Sequence, residues 1–185
     1  DSAKLVSMLE KQGVLKTEND ADFAIVYSCS VTGKAVKKNK QMISKAKKEN
    51  PKARIILAGC WPRVENVNKD DFAIDFIFDS SNNSDLWNFM AIKEDGLGDI
   101  GGQSNLVTGQ SRARYFIKVQ DGCEQFCSYC VIPYARGPLQ SRAREGIITE
   151  IEIAIKNGFR EIVLSGIHLG LYGHGSDYKL VNLVR

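Results

Sequence analysis

The sequence predicts an α/β protein, with a doubly wound parallel sheet in residues 1–93 and the start of a second α/β unit after it. Three observations carry that prediction. Apolar runs at residues 23–27 and 54–58 have strand length and are bounded by turn residues. Between them Ala35, Val36, Asn39, Met42, Ile43 and Ala46 recur at helical spacing, and a strand, helix, strand order leads naturally to parallel pairing. After a glycine-rich break the same alternation begins again at Tyr115.

Taken in order, residues 2–12 put Leu5, Val6, Met8 and Leu9 on one helical stripe, and Gly13 follows where a helix end favours a left-handed residue. Residues 23–27 and 54–58 are the first two strands, and the helix between them closes at Asn50-Pro51, since proline cannot continue it. Residues 74–78 are a third strand and 85–92 a closing helix. Residues 94–111 hold five glycines (96, 98, 101, 102 and 109) among Asp, Gln, Ser and Asn without an apolar period, which predicts a linker. Beyond it, 115–119 reads as a strand, the cysteine-rich stretch as a loop, 145–157 as a helix and 161–164 as a strand. Ile147, Ile148, Ile151, Ala154 and Ile155 form that helix's apolar face, and Gly158 stops it. The expected organisation is a first domain over 1–93, the linker over 94–111 and the opening of a second domain over 112–185.

Composition fits a folded globular chain: of 185 residues, 43% are hydrophobic and 25% charged, which excludes disordered and collagen-like classes. The longest apolar run, Ile55 through Trp61, has seven residues, against the roughly 18 to 20 of a membrane span. No charged and then apolar leader opens the sequence, so the cytoplasm is the expected location. A start at Asp1 and an end at Arg185 inside an apolar-periodic stretch lead to the expectation that the chain is a fragment. The net charge of +3 implies no nucleic-acid partner by itself. Residues 34–54, however, hold nine basic side chains against the single acid Glu49. Such a run is either a phosphate-tracking surface or a solvated helix face whose terminal cations suit the helix dipole.

Five cysteines, an odd number with three crowded into eight residues, argue against a disulfide framework and for metal ligation or catalysis. Cys123-Glu-Gln-Phe-Cys127-Ser-Tyr-Cys130 has the spacing C-x3-C-x2-C directly after a strand. Three thiolates on one loop suit three irons of a four-iron, four-sulfur cube and leave the fourth open, as the reactive position is left open at catalytic zinc. A structural zinc site would want a fourth ligand, and the only histidines, His168 and His174, lie far along the chain. A ferredoxin-type carrier would want four cysteines per cluster. Cys29 and Cys60 each follow an apolar strand, which places them at the carboxyl edge where open α/β sheets bind ligands. Free cysteines are also among the commonest buried residues and need no function. Arg136, Arg142 and Arg144 flank the cysteine loop and could grip a carboxylate or a phosphate, or simply face water. Gly166, Gly170, Gly173 and Gly175 after the 161–164 strand permit close backbone approach to a ligand or an ordinary loop. His168 is the one side chain there that titrates near neutral pH, and no catalytic residue is assigned.

With Tyr129 just before its last cysteine, the loop resembles that of the radical S-adenosylmethionine (SAM) enzymes. Val119-Gln-Asp-Gly-Cys123, Val131-Ile-Pro-Tyr-Ala-Arg-Gly137, Ser141-Arg-Ala-Arg144 and Gly166-Ile-His-Leu-Gly-Leu-Tyr-Gly173 narrow the resemblance to the methylthiotransferases. Val31-Thr32, Lys40-Gln41 and the Gly-Ile-His-Leu-Gly segment resemble most the branch acting on threonylcarbamoyladenosine in tRNA. The resemblance implies that 112–185 opens a partial (β/α) radical SAM barrel. It implies a 4Fe-4S cluster on Cys123, Cys127 and Cys130, with SAM bound at its open iron beside Tyr129 and cleaved to an adenosyl radical. It further implies an auxiliary 4Fe-4S cluster on Cys29, Cys60 and a third cysteine, expected upstream of Asp1-Ser2, that delivers the methylated sulfur to C2 of the adenosine beside the anticodon. The implied partners are tRNA, SAM and an electron donor such as flavodoxin or ferredoxin, with no membrane, and the fragment is expected to be incomplete for turnover. Relatives acting on isopentenyladenosine in tRNA or on a ribosomal-protein aspartate remain open, as does a non-catalytic RNA-binding module stapled by a metal.

Overall fold

The computed structural model describes residues 2–18, 20–78, 83–92 and 114–185. Two compact units account for them, one holding the described residues up to 92 apart from Ala3 and the other those from 114 onward. The expected linker at 94–111 lies outside the described residues.

In the first unit, α1 (Ser2–Lys11) is followed by β1 (Phe23–Ser28), α2 (Gly33–Glu49), β2 (Arg54–Gly59), α3 (Trp61–Val64), α4 (Lys69–Phe72), β3 (Phe76–Phe78) and α5 (Asn83–Met90). The three strands form one parallel sheet in the order β1-β2-β3, with Ala24 opposite Ile55 and Leu57 opposite Ile77. Successive side chains of a strand point to opposite faces. Ile56 and Ala58 accordingly pack with Leu5, Met8 and Leu9 of α1 and Leu86 and Trp87 of α5, while Ile55 and Leu57 pack with Ile43 of α2 and Trp61. Helices on both faces explain why β2 reads as a continuous apolar run. Ile55, Ile56 and Leu57 are wholly buried, each contributing about 1.5 to 3 kcal/mol of transfer free energy.

Thr32 starts α2 by accepting the Ala35 amide on its hydroxyl at 3.1 Å, satisfying one otherwise orphaned donor. Val6, expected on the buried stripe of α1, is 42% exposed, because Leu5, Met8 and Leu9 alone define the face that meets the sheet. The third strand is shorter than its apolar run: Ile74 is buried ahead of it, and Asp75 exchanges bonds with Ile55, its carboxylate accepting the Ile55 amide at 2.6 Å.

The second unit runs β4 (Arg114–Asp121), α6 (Ile132–Arg136), β5 (Gln140–Ser141), α7 (Arg144–Lys156), β6 (Glu161–Gly166), a 3-10 turn (Leu169–Leu171) and α8 (Leu180–Val184). Its sheet has the order β5-β4-β6, with β4 parallel to β6 and antiparallel to the two-residue β5. Tyr115, Ile117 and Val119 alternate inward against Ile147 and Ala154 of α7 and against Tyr172, whereas Phe116 between them is 41% exposed. The apolar face of α7 is centred on Ile147 and Ala154. Ile155, one residue and about 100° further round the helix, stands exposed, and Glu150 is buried instead.

Candidate metal centre

The cysteine loop begins where β4 loses its regular register. Lys118 is opposite Ser165 and Gln120 opposite Gly166, so Val119 is an extra residue on β4. Such a bulge re-aims the side chains beside it. Here it turns Gln120 inward directly after the inward Val119, and both are almost fully buried. The Gln120 amide donates to the Asp121 and Gly122 carbonyls, each at 2.7 Å, and its oxygen accepts the His168 amide at 2.8 Å. One side chain thus ties the entrance of the cysteine loop to the loop after β6. Gly166 is glycine for the same reason, since an added Cβ would come within 2.9 Å of the Gln120 oxygen. Gly122 has φ of 70° and leaves 1.8 Å between an added Cβ and the Pro138 carbonyl, so no other residue fits that turn.

Asp121 stands just before Gly122. Burial pushes its carboxyl upward, but the hydrogen bond and charge of Lys118 at 2.8 Å, the Gly122 amide and the Arg136 charge outweigh burial and hold it below the ordinary carboxylate range. A fixed anion therefore stands two residues from the first cysteine.

Cys123 is buried, its amide bonded to the Gly137 carbonyl at 3.2 Å, while Cys127 is exposed and Cys130 half-buried. The Cys130 amide donates to the Cys127 carbonyl at 2.9 Å, so the x2 spacing places these two thiols at the ends of one β-turn. Phe126 precedes that turn with φ of 46°, a left-handed value uncommon outside glycine. Its ring meets Tyr134 edge-on at 6.0 Å, and Phe126, Tyr129 and Tyr134 are all well exposed around the thiols. Three free thiols on one loop fit an iron-sulfur group by donor type and by position. Among the described residues, however, no three Cys, His, Asp or Glu side chains are gathered as a ready metal cage.

The flanking arginines divide. Arg142 donates to the Lys118 carbonyl at 3.0 Å and to the Glu150 carboxylate at 2.7 Å, and Arg144 donates to the Tyr178 hydroxyl at 2.7 Å. Arg142 is thus engaged inside the fold and Arg144 at its surface, while Arg136 lies 3.8 Å from Asp121. Gly173 likewise serves the fold, since an added Cβ would meet the Tyr178 carbonyl at 1.8 Å. His168 is exposed and is held through its backbone, its amide donating to the Gln120 side chain at 2.8 Å and its carbonyl accepting the Leu171 amide at 2.9 Å.

Cys29 and Cys60 follow β1 and β2 at the same edge of the first sheet, directly after the paired residues Ser28 and Gly59. Cys29 is exposed and Cys60 buried. Gly59 has φ of 98°, and an added Cβ would lie 2.2 Å from the Ser28 carbonyl, which itself accepts the Cys60 amide at 3.1 Å. Asn39, buried in the middle of α2, grips Cys29 from both sides: its amide donates to the Cys29 carbonyl at 2.8 Å and its oxygen accepts the Cys29 amide at 3.3 Å. Beside Cys29, the Ser30 hydroxyl is buried without a hydrogen-bond partner. A buried polar atom left unsatisfied one residue from Cys29 fits a polar group seated beside it. Gln120, Asn39 and Glu150 are absent from the sequence expectations as polar anchors, although Asn39 already stands among the helical-period positions of its helix.

These features define a two-unit α/β protein that carries soft ligands where its parallel strands end. Residues 1–79 match the family described as "Uncharacterized protein family UPF0004". The chain is 32% identical over 92% of its length to the threonylcarbamoyladenosine tRNA methylthiotransferase of Aquifex aeolicus, and 34% identical over 97% to that of Chlamydia pneumoniae. It is also 32% identical over its whole length to a tRNA-2-methylthio-N(6)-dimethylallyladenosine synthase of Clostridium perfringens. Over these lengths the chain is similar to proteins named as tRNA methylthiotransferases. It spans under half the length of these relatives, covering 45%, 42% and 46% of them respectively.

Proposed function

We propose that the chain is part of a radical SAM enzyme that adds a methylthio group to C2 of N6-threonylcarbamoyladenosine beside the anticodon of tRNA. The observation that carries this reading is the Cys123, Cys127, Cys130 loop at the carboxyl end of β4, in a chain whose relatives are named as tRNA methylthiotransferases. In this reading residues 1–93 are the N-terminal domain, 94–111 the linker, and 112–185 the opening of a (β/α) barrel, with β4, α7 and β6 as its first strand, helix, strand unit. Cys123, Cys127 and Cys130 hold a 4Fe-4S cluster, and Cys29 and Cys60 contribute to an auxiliary one. When bound, the first cluster supplies an electron, received from a flavodoxin or ferredoxin, to cleave the carbon-sulfur bond of SAM.

The protein's own part is positional. The bulge at Val119 and the Gln120 bonds fix the loop entrance, the turn from Cys127 to Cys130 sets two thiols apart, and Phe126, Tyr129 and Tyr134 present exposed aromatic surface on and after the loop. Asn39 holds the Cys29 backbone in place. No helix among the described residues is long and apolar enough to cross a membrane.

Anaerobic reconstitution with iron and sulfide tests the reading. About four irons per chain and a SAM-dependent change in the electron paramagnetic resonance spectrum are expected from the first loop alone, and about eight if Cys29 and Cys60 are also loaded. Cys127→Ala should remove the SAM-dependent signal while leaving the unit folded. Tightly bound zinc and a spectrum indifferent to SAM would instead establish a structural, non-catalytic module. The equal identity to the dimethylallyladenosine synthase favours a second reading, with isopentenyladenosine as the modified base. Parallel assays of complete enzyme on the two tRNA classes separate the two.

A further inference from the structure

We infer that the solvent face of α2 is a track for the sugar-phosphate backbone of an RNA stem. Apart from Lys52, which lies beyond the end of α2, the structure divides the basic run into two sets. Lys40, Lys47 and Arg54 are engaged in the fold: Lys40 lies 5.2 Å from the Phe72 ring centre, Lys47 donates to the Ala53 carbonyl at 3.2 Å, and Arg54 stacks 3.8 Å from the Phe89 ring centre. Lys34, Lys37, Lys38, Lys45 and Lys48 are exposed. At about 100° per residue they share an arc of roughly 100°, directly opposite the buried Asn39 and Ile43.

Along the axis the five ammonium groups cover about 21 Å at about 1.5 Å per residue. One nucleic-acid strand presents a phosphate about every 3.4 Å of axis, so a track of this length offers a phosphate to each lysine. The only acid of α2, Glu49, faces Lys45 at 3.6 Å, and both side chains are largely exposed, so the pair is weak. No acid among the described residues is paired with Lys34, Lys37, Lys38 or Lys48. Within the arc the remaining residue is Gln41, and the absence of an apolar anchor there favours a uniform polyanion over an acidic peptide. The amino end of the track begins at Thr32, three residues after Cys29, so it leads to the sheet edge bearing Cys29 and Cys60.

The inference rests on the reading of the chain as part of a tRNA-modifying enzyme, and its test needs neither iron nor turnover, so either can fail alone. The measurement is fluorescence anisotropy of a labelled RNA stem-loop titrated with the metal-free 185-residue chain over a series of salt concentrations. Substituting Lys34, Lys37, Lys38 and Lys48 together by Gln should lower the slope of log affinity against log salt by roughly three to four. A charge-matched control with Lys16, Lys156, Arg160 and Arg185, all exposed elsewhere, replaced by Gln should lower it by less than about one. Equal slopes in the two variants would overturn the assignment, as would no RNA binding by the unaltered chain or stronger binding to polyglutamate than to RNA.

Discussion

Asn39 spends both ends of its amide on the backbone of a single residue, Cys29, from a position that is 3% exposed. Removing it deletes two part-buried hydrogen bonds, each worth about 0.5 to 1.5 kcal/mol net. Asn39→Ala should therefore destabilise the first unit by about 2 kcal/mol in urea denaturation and speed alkylation of Cys29 relative to Cys60. Unchanged stability together with unchanged alkylation would show that the clamp holds nothing. Cysteine ligands are legible in a sequence because their chemistry is in the residue type and its spacing. Asn39 and Gln120 are not, because they serve backbone groups that leave no trace in any pattern, and Gln120 faces inward only through a bulge at Val119 that a strict period-2 reading cannot contain.

At the scale of elements, α7 shows what an apolar stripe conceals. Glu150 lies on it between Ile147 and Ala154 and is 5% exposed, accepting the Tyr115 hydroxyl at 3.2 Å and the Arg142 guanidinium at 2.7 Å. Arg142 in turn spans from β4, through the Lys118 carbonyl, to the helix, while its own carbonyl accepts the Tyr172 hydroxyl at 2.9 Å. Loss of the arginine would strand a buried carboxylate. Arg142→Ala is expected to cost about 2 to 3 kcal/mol in urea denaturation, less than the roughly 3 to 5 typical of fully buried pairs, since the arginine is partly exposed. A cost below about 0.5 kcal/mol would mean that the pair behaves as a surface one. The long elements, α2, β1, β2 and α7, were legible because their apolar positions repeat over enough residues to show a period. By contrast α3, α4, α6 and β5 have four, four, five and two residues, too few for any periodicity to register.

Each unit has its own apolar packing, two clusters flanking the first sheet and one in the second unit, and the sequence announced the division through two strand, helix, strand alternations parted by a glycine-rich stretch. Burial of Tyr27 predicts an alkaline weakness in the first unit. Tyr27, on β1, packs against the core formed with α1 and α5, and burial pushes its hydroxyl from 10.0 up to about 12. Below about pH 10 the phenol is neutral in both folded and unfolded chains, so the packing it provides is fully present. Between about pH 10 and 12 the unfolded chain releases a proton that the folded one retains, which favours unfolding progressively, and above about 12 the loss is complete. Because the ring is only partly enclosed, the loss should be on the order of 1 to 2 kcal/mol rather than the full value of a two-unit shift. Tyr27→Phe has no such proton to release. Urea denaturation at about pH 9 and about pH 11.5 should therefore show the unaltered chain losing more stability than the phenylalanine variant, and parallel losses would place the alkaline weakness elsewhere.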